Sequence, residues 1–178
     1  MSQSPSPLDA SRLVIHKSDS LRQCPPVKDI VFGRTFTDHM LKIPWTAARG
    51  WGEPSIEPYG PLSLEPSSVV LHYAVTLFEG MKAYRDDHGK VRLFRPEKNM
   101  ERMNRSASRI CLPNFDETEL LKLIKKLVQL DQHWVPSEPG YSMYIRPTLI
   151  GTEPSVSVTQ TSEALLFVIL SPVGPYYS

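Results

Sequence analysis

The stretch Met81-Lys82-Ala83-Tyr84-Arg85-Asp86-Asp87-His88-Gly89-Lys90-Val91-Arg92-Leu93-Phe94-Arg95-Pro96 decides the fold. Its two short runs, 81–85 and 91–95, flank five turn-forming residues and should therefore pair as antiparallel strands. Pro96 then stands at the first position of a helix, where its missing N–H removes no hydrogen bond. Met100, Met103, Ala107 and Ile110 recur at helical spacing as a buried stripe, and the helix must end before Pro113.

A second helix follows directly. Asp116 with Glu119 three residues on forms an aspartate variant of the capping box, and Leu120, Leu123, Ile124, Leu127 and Leu130 point inward. Trp134 and Pro136 end it. Over 141–150 the period changes to two, with Met143, Ile145 and Leu149 on one face and Ser142, Tyr144 and Arg146 on the other. The all-apolar run 164–170 predicts a central strand covered on both faces. Strands, two adjacent helices and further strands, with no regular alternation, predict an α+β fold whose antiparallel sheet is flanked by two main helices.

Upstream, residues 32–36 lead into an extended run at 37–43, and the turn Gly50-Trp51-Gly52 predicts a hairpin. Pro54, Pro58, Pro61 and Pro66 predict that 53–66 runs extended over the surface. Ser67-Ser68 offers an N-cap for a short helix through Tyr73 to Leu77, closed by Gly80. Residues 1–28 carry four prolines among scattered serines and no apolar core, which predicts a flexible tail. Asp9 and Asp19 lie among its basic residues, unlike an arginine-rich, acid-poor presequence. The cytoplasm is the expected compartment, with the mitochondrion as the alternative.

At 178 residues the chain is the size of one domain, and a chain of that order buries about 70% of its unfolded surface. A net charge of +1 with 22% charged and 40% hydrophobic residues argues for an ordinary soluble globule and against a dedicated polyanion binder. Cys24 and Cys111 lie far apart, so no disulfide framework is expected. The five histidines show no ligand spacing, and no metal site is expected. The seven-residue run 164–170 is far short of the ~20 residues that span a bilayer, so no membrane partner is expected. No nucleophile elbow or phosphate loop is present in the sequence.

Two constellations carry candidate chemistry. Tyr144 and Arg146 share a strand face, either as a carboxylate-recognition pair or as a packed tyrosine beside an arginine that bridges a surface acid. Arg102, Arg105 and Arg109 share a helical face that either holds phosphate or is simply solvated. Interleaved aromatics are lacking there, so nucleic acid is not an expected partner.

Eight stretches bear on identity. They are Val31-Phe32-Gly33-Arg34-Thr35-Phe36-Thr37-Asp38-His39-Met40, Leu71-His72-Tyr73 with Leu77-Phe78-Glu79-Gly80, and Arg92-Leu93-Phe94-Arg95-Pro96 followed by Asn99-Met100-Glu101-Arg102-Met103. Tyr144-Ile145-Arg146-Pro147, Gly151-Thr152-Glu153-Pro154-Ser155 and Ser171-Pro172-Val173-Gly174-Pro175-Tyr176 complete the set. Taken together and in register from about Asp29 onward, they resemble the eukaryotic-type branched-chain amino acid aminotransferases. The resemblance implies a fold-type IV pyridoxal 5'-phosphate enzyme that moves an amino group between leucine, isoleucine or valine and 2-oxoglutarate. Residues 29–170 then correspond to its N-terminal small domain and 171–178 to the start of the interdomain linker.

By motif position, Arg102 resembles the ligand to the cofactor phosphate. Phe32, Tyr73, Phe78, Tyr144 and Arg146 resemble residues around the substrate, and Tyr176 the linker tyrosine that helps close the pocket. Val156 and Val158 match the loop that reaches the partner subunit's site in the family homodimer. An aromatic lining suits an aliphatic side chain, each buried CH₂ contributing about 0.8 kcal/mol. Arg146 with the tyrosine hydroxyls would meet the extra carboxylate of glutamate.

The family keeps its Schiff-base lysine and the acid at the pyridine nitrogen in a C-terminal domain, absent from these motifs. Lys82 matches an ordinary structural position. The expectation is a chain inactive alone, with Leu71, Tyr73 and Phe78 forming an apolar patch that favours association. Two alternatives stay open. One is a non-enzymatic partner that docks on a full-length subunit through the 156–158 loop. The other is a different fold-type IV enzyme, a D-amino acid transaminase or chorismate-derived lyase, which the Tyr-Ile-Arg-Pro and Gly-Thr-Glu-Pro-Ser pieces disfavour.

Overall fold

The computed structural model describes residues 5–175. Its strands are β1 (Val14–Ile15), β2 (His39–Thr46), β3 (Gly50–Trp51), β4 (Ser55–Pro58), β5 (Thr76–Phe78), β6 (Met81–Arg85), β7 (Val91–Leu93), β8 (Ser142–Gly151) and β9 (Glu163–Val173). The helices are α1 (Val69–Tyr73), α2 (Pro96–Arg109) and α3 (Glu117–Leu130). One sheet runs in the order β1-β4-β2-β9-β8-β6-β7, with β3 paired to β2 and β5 to β8. The α+β class holds, but the sheet is mixed, because β1 lies parallel to β4 while the other pairs are antiparallel. No tight turn links β1 to β4; the chain returns to that edge from some forty residues away, so hairpin geometry does not dictate direction.

The predicted β6–β7 hairpin forms around the Asp86–Lys90 turn. The second hairpin forms too, but Gly50 and Trp51, expected to be its turn, are the returning strand β3, with Thr46 facing Gly50 and the turn at 47–49. The helices α2 and α3 bury Met100, Met103, Ala107, Leu120, Leu123, Ile124 and Leu127 completely against one sheet face. Ile110, assigned to the same stripe, is the C-cap of α2 and is exposed, so the stripe stops at Ala107. Asp116 caps α3 by accepting from the Thr118 and Glu119 N–H groups at 2.8 and 3.0 Å. Glu119 does not close the reciprocal half of the box. Its carboxylate accepts from the Ala10 N–H at 2.8 Å and from Lys122.

β9 is central as expected, between β2 and β8, yet it is covered on one side only. Ala164, Leu166, Val168 and Leu170 are buried beneath the helices, while Leu165, Phe167 and Ile169 on the other face are half-buried. A continuous apolar run therefore does not require two covering layers. The face left open is the one that carries the candidate site.

The N-terminal segment departs from its expectation. From Pro5 onward it is laid against the domain: the Ser6 N–H donates to the Arg49 carbonyl, β1 extends the sheet and Leu8 is 2% exposed within the core. Composition missed this because one leucine and a two-residue strand attach the segment, too little for a hydrophobic pattern. Residues 53–66 are likewise not wholly superficial, since β4 belongs to the sheet and Ile56 is fully buried. The short helix stops at Tyr73, where Ala74 adopts a left-handed conformation (φ 51°), and residues 76–78 leave it as β5.

A polar knot ties the segment down further along. His39 and Asp131 are both buried, with the ring Nδ1 2.6 Å from Asp131 Oδ1 and the His39 N–H donating to Oδ2 at 3.0 Å. The Ser18 N–H donates to His39 Nε2 at 2.9 Å, which assigns the imidazole proton to Nδ1. Next to it, Asp38 accepts from the Arg22 N–H and Nε and from the Trp134 indole N–H at 2.9 Å. Burial alone would push the Asp38 carboxyl up, but the hydrogen bonds from Trp134 and Arg22 outweigh it and hold the group below the ordinary carboxylate range.

Candidate active site

The alternation along β8 sends Met143, Ile145 and Leu149 into the core and leaves Tyr144 and Arg146 on the open face. Arg146 donates from Nε and from a terminal nitrogen to the Tyr144 hydroxyl at 3.0 and 2.7 Å. It therefore does not bridge a surface acid. Its guanidinium carbon lies 4.1 Å from the centre of the Phe78 ring and 5.0 Å from that of Tyr144, where ring faces attract a cation. Phe32 meets Tyr144 edge to face at 5.6 Å. Between them is a cavity of about 190 Å³, walled by Phe32, Phe36, Tyr144, Arg146, Ile169 and Ser171. Among larger openings, two of about 760 and 860 Å³ are open troughs along α3 with no aromatic lining, one of about 310 Å³ lies by Trp45 and Trp51 at the β2–β3 hairpin, and one of about 330 Å³ lies between β5 and the end of α2.

Beside this cavity stands a second cluster. Glu79 follows β5, and its carboxylate is 6% exposed. Arg102, halfway along α2, donates Nε to one Glu79 oxygen at 2.5 Å and a terminal nitrogen to the other at 2.6 Å. Asn99 donates from Nδ2 to Glu79 and to the Gly80 carbonyl, both at 3.0 Å, and the Gly80 N–H adds a third donor at 3.2 Å. Burial pushes the Glu79 carboxyl up, yet the bonds from Arg102, Asn99 and Gly80 prevail and hold it below the ordinary range. The Arg102 guanidinium is in turn held still more firmly protonated by Glu79.

Glu79 and Gly80 couple the two clusters. A methyl group at Gly80 would lie 3.0 Å from Tyr144 Cε2 and closer still to the hydroxyl, so the tyrosine rests directly on the glycine backbone. The motif Leu-Phe-Glu-Gly thus supplies a ring to the cavity, an acid to Arg102 and a seat for Tyr144. Sequence reasoning gave Glu79 no role of its own and Gly80 only that of closing the short helix, which in fact ends at Tyr73. The available signal was an acid beside a glycine within a motif otherwise valued for its phenylalanine.

The remaining residues assigned from the sequence separate into a different group. The Tyr73 hydroxyl donates to the Val156 carbonyl, and its ring neighbours His72 rather than Tyr144 or Arg146. Val156 and Val158 are 64% and 85% exposed, with Tyr73, Leu71 and Phe78 also open to solvent. Lys82 faces Tyr144 across the β6–β8 ladder. Tyr176 lies outside the described residues. Among the described residues no group of acids, histidines and cysteines could hold a metal, and no helix is long and apolar enough to cross a membrane.

A phosphorylated pyridine cofactor suits the donor set at Arg102. The Arg102 side chain is 53% exposed, and Glu79 occupies two of the five guanidinium N–H donors, leaving three for an oxyanion. Phosphate recognition favours this planar, permanently charged group.

Comparison with known proteins gives a consistent set of likenesses. The family described as Amino-transferase class IV matches residues 76–178. The chain is 58% identical over 171 residues to the mitochondrial branched-chain-amino-acid aminotransferase of Saccharomyces cerevisiae, covering 96% of this chain and 44% of that protein. It is 57% identical over 169 residues to the cytosolic enzyme of Mus musculus, covering 95% and 44%. The chain therefore spans less than half the length of these relatives. Among solved structures it is similar to a branched-chain aminotransferase from Thermoproteus uzoniensis with norvaline, at TM-score 0.58 and 25% identity over 74% of this chain and 41% of that one. A second, a T.th. branched-chain amino acid aminotransferase with pyridoxamine 5'-phosphate, superimposes at TM-score 0.55 with 23% identity over 76% and 41%, a likeness of fold alone.

Proposed function

This chain belongs to the class IV aminotransferase family, and we propose that it forms the substrate-side part of a branched-chain amino acid transaminase. The observation that carries the reading is the Tyr144–Arg146 pair in an aromatic wall, one glycine away from the Glu79–Arg102 cluster. The small domain is assigned to the span the sheet and core take up, which includes β1 and Leu8 ahead of residue 29 and runs through the end of β9 at Val173. The opening of a linker is therefore assigned after Val173 rather than from 171, with the lysine that anchors the cofactor supplied by a further domain.

Pyridoxal 5'-phosphate, when bound, supplies the electron sink that lets an amino group leave one carbon skeleton for another. The chain's own residues hold and sort the reactants. Arg102 offers its remaining N–H donors to the phosphate, which sets the depth of the cofactor. Phe32, Phe78 and Tyr144 give a leucine, isoleucine or valine side chain apolar surface at about 0.8 kcal/mol per buried CH₂. One methylene separates these substrates by only ~1 to 3 kcal/mol, so all three are accepted. Arg146, already oriented by Tyr144, meets the second carboxylate of glutamate or 2-oxoglutarate. Because its charge is held against ring faces rather than neutralised by an acid, it accommodates both kinds of side chain in turn.

Tyr73 and Val156 are assigned together to the pocket of a partner subunit in a homodimer, supported by their mutual hydrogen bond and the exposure of Val156 and Val158. The cytoplasm is the compartment assigned, with relatives named both cytosolic and mitochondrial; fractionation of the native protein decides between them.

The test is Arg146→Met in the complete gene product, assayed with leucine and 2-oxoglutarate varied separately. The KM for 2-oxoglutarate should rise by roughly tenfold or more, since a charged partner is removed, while the KM for leucine moves by less than about threefold. An equal rise for both substrates, or none, overturns the assignment.

A further inference from the structure

Glu79 is a buried acid with no place in the roles drawn so far. It takes no part in the apolar wall, and its charge opposes the anion that Arg102 is assigned to bind. Three neighbours nonetheless donate to it, and its own N–H is fixed to the Pro147 carbonyl at 2.9 Å, directly after Arg146 on β8. A carboxylate so held is a rigid fixture rather than a mobile counter-ion.

A guanidinium has two edges that can meet an oxyanion in parallel, one formed by Nε with a terminal nitrogen and one formed by the two terminal nitrogens. Glu79 occupies the first edge completely. The side chain of Arg102 is otherwise long and half in solvent, with much rotamer freedom to lose on fixing it. Ordering by Glu79 removes that freedom before any ligand arrives. The second edge is then presented outward in one orientation.

We propose that Glu79 is a positioning residue for the phosphate of the cofactor, holding Arg102 by its Nε edge so that the terminal edge receives the oxyanion. This rests on the assignment of Arg102 as the phosphate ligand. It assigns Asn99 an auxiliary part, because Asn99 ties the carboxylate to the Gly80 backbone and so keeps both partners in register with Tyr144. The acid lowers the net charge at the site, and the gain is orientation.

Pyridoxamine 5'-phosphate and pyridoxamine serve as probes, since neither carries an aldehyde that would react with surface lysines. The affinity ratio of the phosphorylated to the unphosphorylated compound, measured by equilibrium fluorescence titration of the full chain, isolates the phosphate contribution. In the wild type this ratio should be well above one, and Arg102→Gln should bring it close to one. If Arg102→Gln leaves it unchanged, the phosphate assignment itself fails. With that assignment standing, Glu79→Gln should lower the ratio about tenfold, which is what one charge-assisted hydrogen bond contributes. Asn99→Ala, at the half-exposed start of α2, should lower it by about threefold without threatening the fold.

A ratio that is unchanged or raised in Glu79→Gln overturns the proposal while leaving Arg102 in place, the raised value marking Glu79 as a competitor. The wild type provides a readout free of folding effects. The Nε–Hε signal of Arg102 should be slow to exchange before pyridoxamine 5'-phosphate is added and remain so at saturation, while the terminal N–H signals shift. Loss of the Nε–Hε protection on saturation would show that the phosphate displaces Glu79, and the proposal would fall.

Discussion

Tyr144 lies where a side chain at residue 80 would have to be: a β-carbon on Gly80 would stand 3.0 Å from Tyr144 Cε2. Glycine is required there by a neighbour's ring, not by its own backbone angles. Gly80→Ala should therefore push the Tyr144 ring away, costing about 1 to 3 kcal/mol of overpacking. A double variant that also carries Tyr144→Ala should recover most of the loss beyond the cost of the tyrosine itself, a coupling that urea titration of the four proteins measures. Simple additivity would show that the ring does not rest on Gly80.

Leu8 provides a sharp test of the N-terminal attachment. Being 2% exposed in the main core, Leu8→Ala should destabilise by about 2 to 4 kcal/mol in denaturant titration. A loose tail would give less than about 0.5 kcal/mol.

Asp131 satisfies both the N–H of His39 and its ring Nδ1–H in a site sealed from water. Asp131→Ala leaves two buried donors without an acceptor and should cost about 3 kcal/mol or more. Asp131→Asn retains one good acceptor and should cost clearly less. Hydrogen exchange at the Ser18 amide should accelerate in the alanine variant, because the imidazole that accepts from it is no longer oriented.

Acid should loosen the same region through Asp38. Its carboxyl titrates lower in the folded chain than in the unfolded one, so its stabilising contribution is complete above the unfolded value of about 4 and is lost as pH falls through the folded value. Stability of the wild type should thus decline below about pH 4, and Asp38→Asn should show a shallower decline over that window. Parallel slopes would remove Asp38 from the account.

Much of the secondary structure was legible because it depends on local chemistry. The Asp86–Lys90 turn, Pro96 at the head of α2, Asp116 at the head of α3 and the alternation about Tyr144 each act within a few residues of themselves. What escaped depends on partners distant in sequence. Leu8 is buried by residues far along the chain, and the two-residue β1 exists only because β4 offers it an edge. Glu119 abandoned its capping role because Ala10 and Lys122 compete for its carboxylate. At the site, spacing placed Tyr144 and Arg146 side by side, and of the two readings left open, a carboxylate-recognition pair or an arginine bridging a surface acid, the structure shows the guanidinium bonded to the Tyr144 hydroxyl and not to an acid. The partnership of Glu79 with Arg102 spans 23 residues and two elements, and no periodicity announces it.

The hydrogen bond from Tyr73 to Val156 divides the assigned residues into one set held beside Arg146 and another carried on an exposed loop. If the second set serves a neighbour, a defect in either set should be hidden in a hybrid. Co-expressing one subunit altered at Tyr144 with another altered at Val156 should yield mixed pairs with one pocket wholly intact and one doubly damaged, so two inactive alleles would complement each other within a single assembly.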